Sequence, residues 1–237
     1  NQNGIRVDIE TAKLFEHAQV CYEQSDGLFD ITAGVLRRAW DFNLKQVPTE
    51  SELQGLLPLI GFDRLTWQED ILFLPENMEI DFGGIVKEYA ADSLAKLARE
   101  LGVKRGLINL GGDFAVIGLQ PEDKPWQIGV KHPDDRATAM AHIHLHEGGL
   151  ASSGDYERFF VLDGKRYSHL LNPKTGWPCA GLTAVSVAAN LCTVAGSFAT
   201  IAMLKPKHDA LDWLTKSGLP FVFMDDAGHI GGPGLIG

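Results

Sequence analysis

At 237 residues, with 45% hydrophobic and 22% charged content, the chain carries enough apolar material for a sizeable core and does not read as disordered. A formal charge of −10 excludes a duplex nucleic-acid surface, which needs a concentrated basic patch to displace counterions. No apolar run reaches the length of a membrane span, and Cys21, Cys179 and Cys192 lack CxxC spacing and cannot all pair; the chain reads as having neither a transmembrane segment nor a disulfide framework.

The opening Asn1-Gln2-Asn3-Gly4 has no initiating Met and neither the basic nor the apolar region of a signal peptide, so the N-terminus reads as processed, truncated or incomplete. No Pro/Ser-rich linker, low-complexity tract or charge run divides the rest, and the expectation is a single domain over residues 1–237. Helical spacing of Leu14, Ala18 and Cys21 predicts a helix from Ile9 to Tyr22, stopped by Ser25-Asp26-Gly27. A second short helix is expected over Phe29 to Trp40. Thr49 with Glu52 three residues on forms a capping box for a third, which ends near Pro58. Leu65 to Trp67 and Ile71 to Leu74 predict a hairpin.

Glu79 to Phe82 reads as a strand, Gly83-Gly84 as a turn, and Val86 to Leu101 as a helix with the apolar stripe Tyr89, Leu94, Leu97 and Leu101, closed by Gly102. From Gly106 to Val187 the period becomes two. Strands are expected at Gly106 to Leu110, Asp113 to Ile117, Trp126 to Lys131, Ala141 to His146, Arg158 to Leu162 and Lys165 to Leu170, forming an antiparallel sheet. Two helices, Val194 to Leu204 and His208 to Ser217, and a strand at Phe221 to Met224 complete the chain. Helices before and after a strand run predict an α+β fold, a layered antiparallel sheet with packed helices.

Five stretches could carry chemistry. Asp81-Phe82-Gly83-Gly84-Ile85-Val86-Lys87 sets a carboxylate, two glycines and a lysine at a helix start, where free N–H groups favour a phosphate; the glycines alone would make only a tight turn. Asn109-Leu110-Gly111-Gly112-Asp113 is a turn whose bare backbone could approach a ligand or simply join two strands. Ala151-Ser152-Ser153-Gly154-Asp155-Tyr156 offers hydroxyls but lacks the G-x-S-x-G elbow of a serine hydrolase. Ser168-His169 runs into the loop Leu171-Asn172-Pro173-Lys174-Thr175-Gly176, where His169 could be a general base or a structural histidine. His142, His144 and His146 alternate along one strand face; that is a solvated face rather than a metal site, since such positions do not converge on one ion.

In this order the stretches resemble the ApbE family of FAD:protein FMN transferases. Ser25 to Thr32 with Leu36 and Trp40 is similar to its "sDGaFDxT…L…W" segment, Asp81 to Ala90 to "DxGGxxKGYA", Ala151 to Tyr156 to "ATSGxY", and Ser168 to Gly176 to "SHxxxPxTG"; Asn109 to Asp113 also matches. The likeness spans Asn1 to Leu204, without the family's usual N-terminal segment. It implies an ApbE-like (T-fold-type) domain that takes FAD, moves FMN to a Thr hydroxyl of a partner flavoprotein carrying a Thr-containing motif, and releases AMP with Mg²⁺ assisting. Leu28, Phe29, Asp30, Asp81, Lys87 and Leu171 match positions that contact FAD, His169 matches the catalytic histidine, and Gly84 and Thr200 match metal positions. Three residues depart from the pattern: Ala195-Gly196-Ser197-Phe198-Ala199-Thr200 stands for "ADAxxT", with Gly196 where the family has its acidic ligand, Glu88 replaces the glycine of "KGYA", and Val86 stands for the alanine before it. A non-catalytic FAD-binding or flavin-delivery protein, and an FAD pyrophosphatase giving FMN and AMP, are the alternatives. The family's usual export signal implies a periplasmic or lipid-anchored protein; without it the location would be cytoplasmic.

Overall fold

A computed structural model describes residues 4–133, 135 and 138–234. The chain forms two compact units, one of residues 1–82 and 158–179 and one of residues 83–157 and 180–237.

In the first unit a short strand β1 (Ile5–Arg6) leads to helix α1 (Ile9–Gln24), whose N-cap Asp8 accepts from the Thr11 amide. The short helix expected over Phe29 to Trp40 is present as a 3-10 helix, Ile31–Arg38. It is capped by Asp30. Helix α2 (Glu50–Leu56) has the predicted Thr49–Glu52 capping box, and β2 (Thr66–Gln68) and β3 (Ile71–Phe73) form the predicted hairpin, with β1 added along the outer edge of β3. Glu79 to Phe82 is extended but is not a strand; the Asp81 amide donates to the Ile31 carbonyl instead of entering a ladder.

The second unit opens with helix α3 (Val86–Glu100). Strands β4 (Gly106–Leu110), β5 (Asp113–Gly118), β6 (Trp126–Lys131), β7 (Ala139–Leu145) and β8 (Gly149–Gly154) follow. The chain then returns to the first unit for the hairpin β9 (Phe159–Leu162) and β10 (Lys165–Ser168). Back in the second unit lie β11 (Leu182–Ala189), α4 (Cys192–Leu204), α5 (Lys207–Ser217), β12 (Phe221–Asp225) and β13 (Ile230–Gly231). The fold is α+β, and its main sheet is antiparallel with order β13-β12-β11-β8-β5-β4.

This sheet is covered on both faces. Val116, Leu150, Ala188 and Val222 of the sheet pack with Ile128, Val130, Ala141, Ile143 and Leu145 of the β6–β7 hairpin. Helix α4 packs against β8 and β11 and is flanked by α3 and α5. Enclosure on every side explains its almost wholly apolar sequence. Burial also explains the two strands that alternation does not reveal: β11 is buried from Leu182 through Ala188, and β8 buries four of its six residues, so neither shows period two.

On α3 the expected stripe faces the wrong way. Leu94, Leu97 and Leu101 are exposed, and the buried face is Glu88, Ala91 and Ala95. Small alanines there permit the close approach of α4 and β5, which a leucine face would prevent.

Candidate functional site

In the second unit, three of the sequence stretches meet around the first turn of α3. Lys87 extends its ammonium onto the carboxylate of Asp113, the first residue of β5. Gly111 and Gly112 make the β4–β5 turn with φ of 64° and 97°, and the Gly112 amide donates to Asn109 Oδ1 at 2.9 Å. Such backbone is cheap only for glycine. A Cβ on Gly111 would sit 3.7 Å from Lys87 Cδ, so the lysine stem lies alongside the turn. Asp113 is 1% exposed, and its Oδ1 accepts from the Ser152 amide at 3.0 Å. The Ser152 hydroxyl in turn bonds Ser186 Oγ across to β11 at 2.7 Å. Ala151-Ser152-Ser153-Gly154 is strand, not loop, and the Ser152 hydroxyl is engaged across the sheet.

Glu88 lies beside this pair, 6% exposed, with Oε1 3.9 Å from the Lys87 ammonium. Its Oε2 is buried without a hydrogen-bond partner. Burial, opposed by its own backbone amide and reinforced by the Asp113 carboxylate, pushes the Glu88 carboxyl up to about 7. Burial acts against the charge of Lys87, but the hydrogen bond and charge of Asp113 outweigh it and hold the ammonium above its ordinary value. Asp92, one helical turn beyond Glu88, accepts from the Cys192 amide (2.9 Å), the Thr193 amide (2.9 Å) and Thr193 Oγ1 (2.7 Å). It caps α4 from outside, since Leu191 at the N-cap offers no side-chain oxygen.

In the first unit, the Asp30 carboxylate accepts from the Thr32 amide (2.8 Å), the Thr32 hydroxyl (2.6 Å) and the Phe62 amide (3.1 Å). These bonds lower its pKa, but burial dominates and raises it. Phe29 is buried, with its amide donating to Ser25 Oγ at 2.8 Å, and Leu28 beside it is half-buried. Asp81 is exposed and pairs with Arg37 at 3.3 Å. Trp40 Nε1 donates to the Gly176 carbonyl at 2.8 Å, and Leu171 packs on Leu36, Trp40, Leu53 and Phe160. The Ser25–Trp40 and Ser168–Gly176 stretches thus share one core. His169 is exposed just after β10; its amide (3.0 Å) and its Nδ1 (3.1 Å) both meet the Arg158 carbonyl. A carbonyl only accepts, so Nδ1 carries the proton and Nε2 is the basic nitrogen.

The family model for ApbE matches residues 1–223. The chain belongs to the ApbE family. It is 30% identical over 207 residues to the FAD:protein FMN transferase of Escherichia coli (strain K12), an alignment that takes in 83% of this chain and 59% of that protein. It therefore spans about six tenths of the length of that curated relative. Among solved structures, the ApbE protein of Thermotoga maritima superposes with a TM-score of 0.90 at 31% identity, covering 97% of this chain and 77% of that one. The Pseudomonas stutzeri flavinyl transferase ApbE gives 0.85 at 27% identity, covering 96% and 74%.

Against the ApbE pattern, two of the departures, Glu88 and Gly196, are spatial neighbours. Gly196 is buried on α4, and a Cβ built there would lie 2.6 Å from Glu88 Cγ and 3.1 Å from Glu88 Oε1. Thr200 follows Gly196 by one turn on the same face of α4, and Gly84 lies in the turn preceding α3. Among the described residues no group of three or more His, Cys, Asp or Glu side chains could by itself hold a metal ion. The Mg²⁺ expected of the family nevertheless fits this corner in one respect: Glu88 Oε2 is a buried oxygen without a donor, and a hard cation takes one or two carboxylates together with substrate phosphates. His142 and His144 are exposed on β7, with His146 just beyond its end, as a solvated face.

The residues missed by sequence reasoning are Asp113, as the counter-ion of Lys87, and Asp92, as the cap of α4. Asp113 had a readable signal: a carboxylate opening an apolar strand needs a buried partner. Asp92 had none, because its partner lies 100 residues away.

Proposed function

We propose that the protein is an FAD:protein FMN transferase, moving FMN from FAD to a threonine hydroxyl of a partner flavoprotein and releasing AMP. The observation that carries the reading is the Lys87–Asp113 pair: an ammonium fixed by a buried carboxylate beside a glycine turn and the first turn of α3. Membership of the ApbE family over residues 1–223 supports it.

In this reading Lys87 neutralises charge on the FAD pyrophosphate, and the N-terminal end of α3, where no side chain at the N-cap bonds the first turn, adds partial positive charge. His169 Nε2 takes the proton as the threonine oxygen bonds to the flavin-side phosphorus. The bond from that phosphorus to the bridging oxygen breaks, and AMP departs with the electron pair. Leu28, Phe29 and Leu171 supply apolar contacts to FAD, and Asp81 accepts from its donors. Asp30 has three internal donors, so it acts by holding the Phe29 segment in shape. Bound Mg²⁺ would supply charge neutralisation on the phosphates, held by Thr200, backbone around Gly84 and the Glu88 corner. An export-signal-bearing form would act in the periplasm or on a lipid anchor.

The test is flavin transfer to a Thr-containing acceptor domain, read as flavin fluorescence that stays with the denatured acceptor band. Fluorescence that washes out on denaturation favours an FAD-binding protein instead.

A further inference from the structure

Helix α4 offers no side chain at Gly196, and the space beside it is filled from α3 by Glu88, whose Cγ, Cδ and Oε1 lie 2.6, 3.0 and 3.1 Å from where a Cβ at 196 would be. The Glu88 carboxylate is 6% exposed, and its Oε2 has no donor. Around it stand Asp113 from β5, Lys87 from its own helix and Asp92 one turn on, whose oxygens are committed to the first amides of α4; the Cys192 thiol, also nearby, is pushed up by burial and by these carboxylates.

Lys87 balances one of the two carboxylates, Glu88 and Asp113, and a second positive charge is needed if both ionise. A proton shared between Glu88 and Asp113 is one way to provide it. A divalent cation is the other, and it gives Oε2 a partner while both carboxylates stay ionised.

We propose that Glu88 is a divalent-cation ligand of this chain, with Oε2 as its donor atom, so that the acidic group at this corner comes from α3 rather than α4. Thr200, one turn from Gly196 on the same face, and the backbone around Gly84 complete the protein side of the site, with Asp113 holding Lys87 beside it. The proposal rests on the transferase reading only for the phosphates that fill the remaining coordination positions.

The experiment is a titration of the whole chain with Mn²⁺ alone at pH 8, free Mn²⁺ being read by electron paramagnetic resonance. The parent binds one Mn²⁺, and Glu88→Gln, which keeps the shape and removes the charge, weakens binding at least tenfold. Glu88→Gly also loses it, and adding Gly196→Asp to Glu88→Gly returns affinity to within threefold of the parent, because the carboxylate then enters the same space from α4. The proposal is overturned if the parent binds no Mn²⁺, or if Glu88→Gln, melting within a few degrees of the parent, binds within twofold of it. Should Glu88→Gln fail to fold, a Glu88→Gly/Gly196→Asp protein that folds but binds no better than Glu88→Gly also overturns it. No FAD or acceptor is present, so failure here leaves the transferase reading standing, and failure of flavin transfer leaves Mn²⁺ binding unaffected.

Discussion

Glu88 of α3 and Gly196 of α4 occupy one space between them: a Cβ at 196 would come within 2.6 Å of Glu88 Cγ. A side chain at 196 enters only if Glu88 shifts out of its way. Putting an acidic residue back at position 196 therefore cannot be judged from sequence alone.

Gly196→Asp by itself introduces overpacking and a second buried like charge, and is expected to cost about 2–4 kcal/mol. For a chain of this size that lowers the melting temperature by roughly 5–15 °C. Adding Glu88→Gly should recover most of the loss. Thermal unfolding of the two proteins side by side checks this; equal melting temperatures would mean the two positions do not compete.

Glu88 also gives the fold a pH signature. Its carboxyl rises from 4.5 to about 7 on folding, so the folded state holds the proton more tightly than the unfolded chain. Its favourable contribution is fully present below pH 4.5 and is lost as pH rises through 7. Glu88→Gln does not titrate. In EDTA, the melting temperature of the variant relative to the parent should therefore climb by more than about 3 °C between pH 5 and pH 8. A difference that stays flat with pH would show that Glu88 is not buried as an acid.

Lys87→Met leaves Asp113, 1% exposed, without its cation. Breaking a buried pair is costly, but the Lys87 side chain is 44% exposed, so the loss is expected at about 1–3 kcal/mol. Asp113→Asn in the same chain should restore most of it. Neither protein should recover the parent's FAD affinity, which is expected to fall about tenfold, or 1.4 kcal/mol, with the ammonium. Fluorescence titration with FAD separates the two effects; restored affinity in the double variant would remove Lys87 from the phosphate site.

His169→Ala should abolish transfer and leave FAD affinity within a few-fold of the parent. The general-base role is worth about 10²–10⁴-fold in rate. His169→Gln, which can still donate to the Arg158 carbonyl, should be equally inactive. Comparable turnover in either variant rejects the role.

Much of the fold was legible wherever one face of an element meets water. The Thr49–Glu52 box, the Thr66–Phe73 hairpin and β6 and β7 all show it. Elements buried on both faces hid themselves: β8 and β11 have no alternation to read, and their Ser and Gly residues resemble a loop. On α3 the leucine stripe misled because helix packing selected the small residues. At the site, the ordered stretches announced the family, and Glu88 and Gly196 each appeared as a separate departure. Their exchange of space is a tertiary fact, carried by two helices 108 positions apart in the chain. Nothing local in either segment records it.

The most direct test of the central claim is to incubate the purified chain with FAD and Mg²⁺, with and without a Thr-containing acceptor domain, and to measure AMP and acceptor mass together. The account predicts AMP released in step with acceptor molecules that each gain the mass of one FMN. FAD that binds without AMP release, or AMP accompanied only by free FMN, would contradict it.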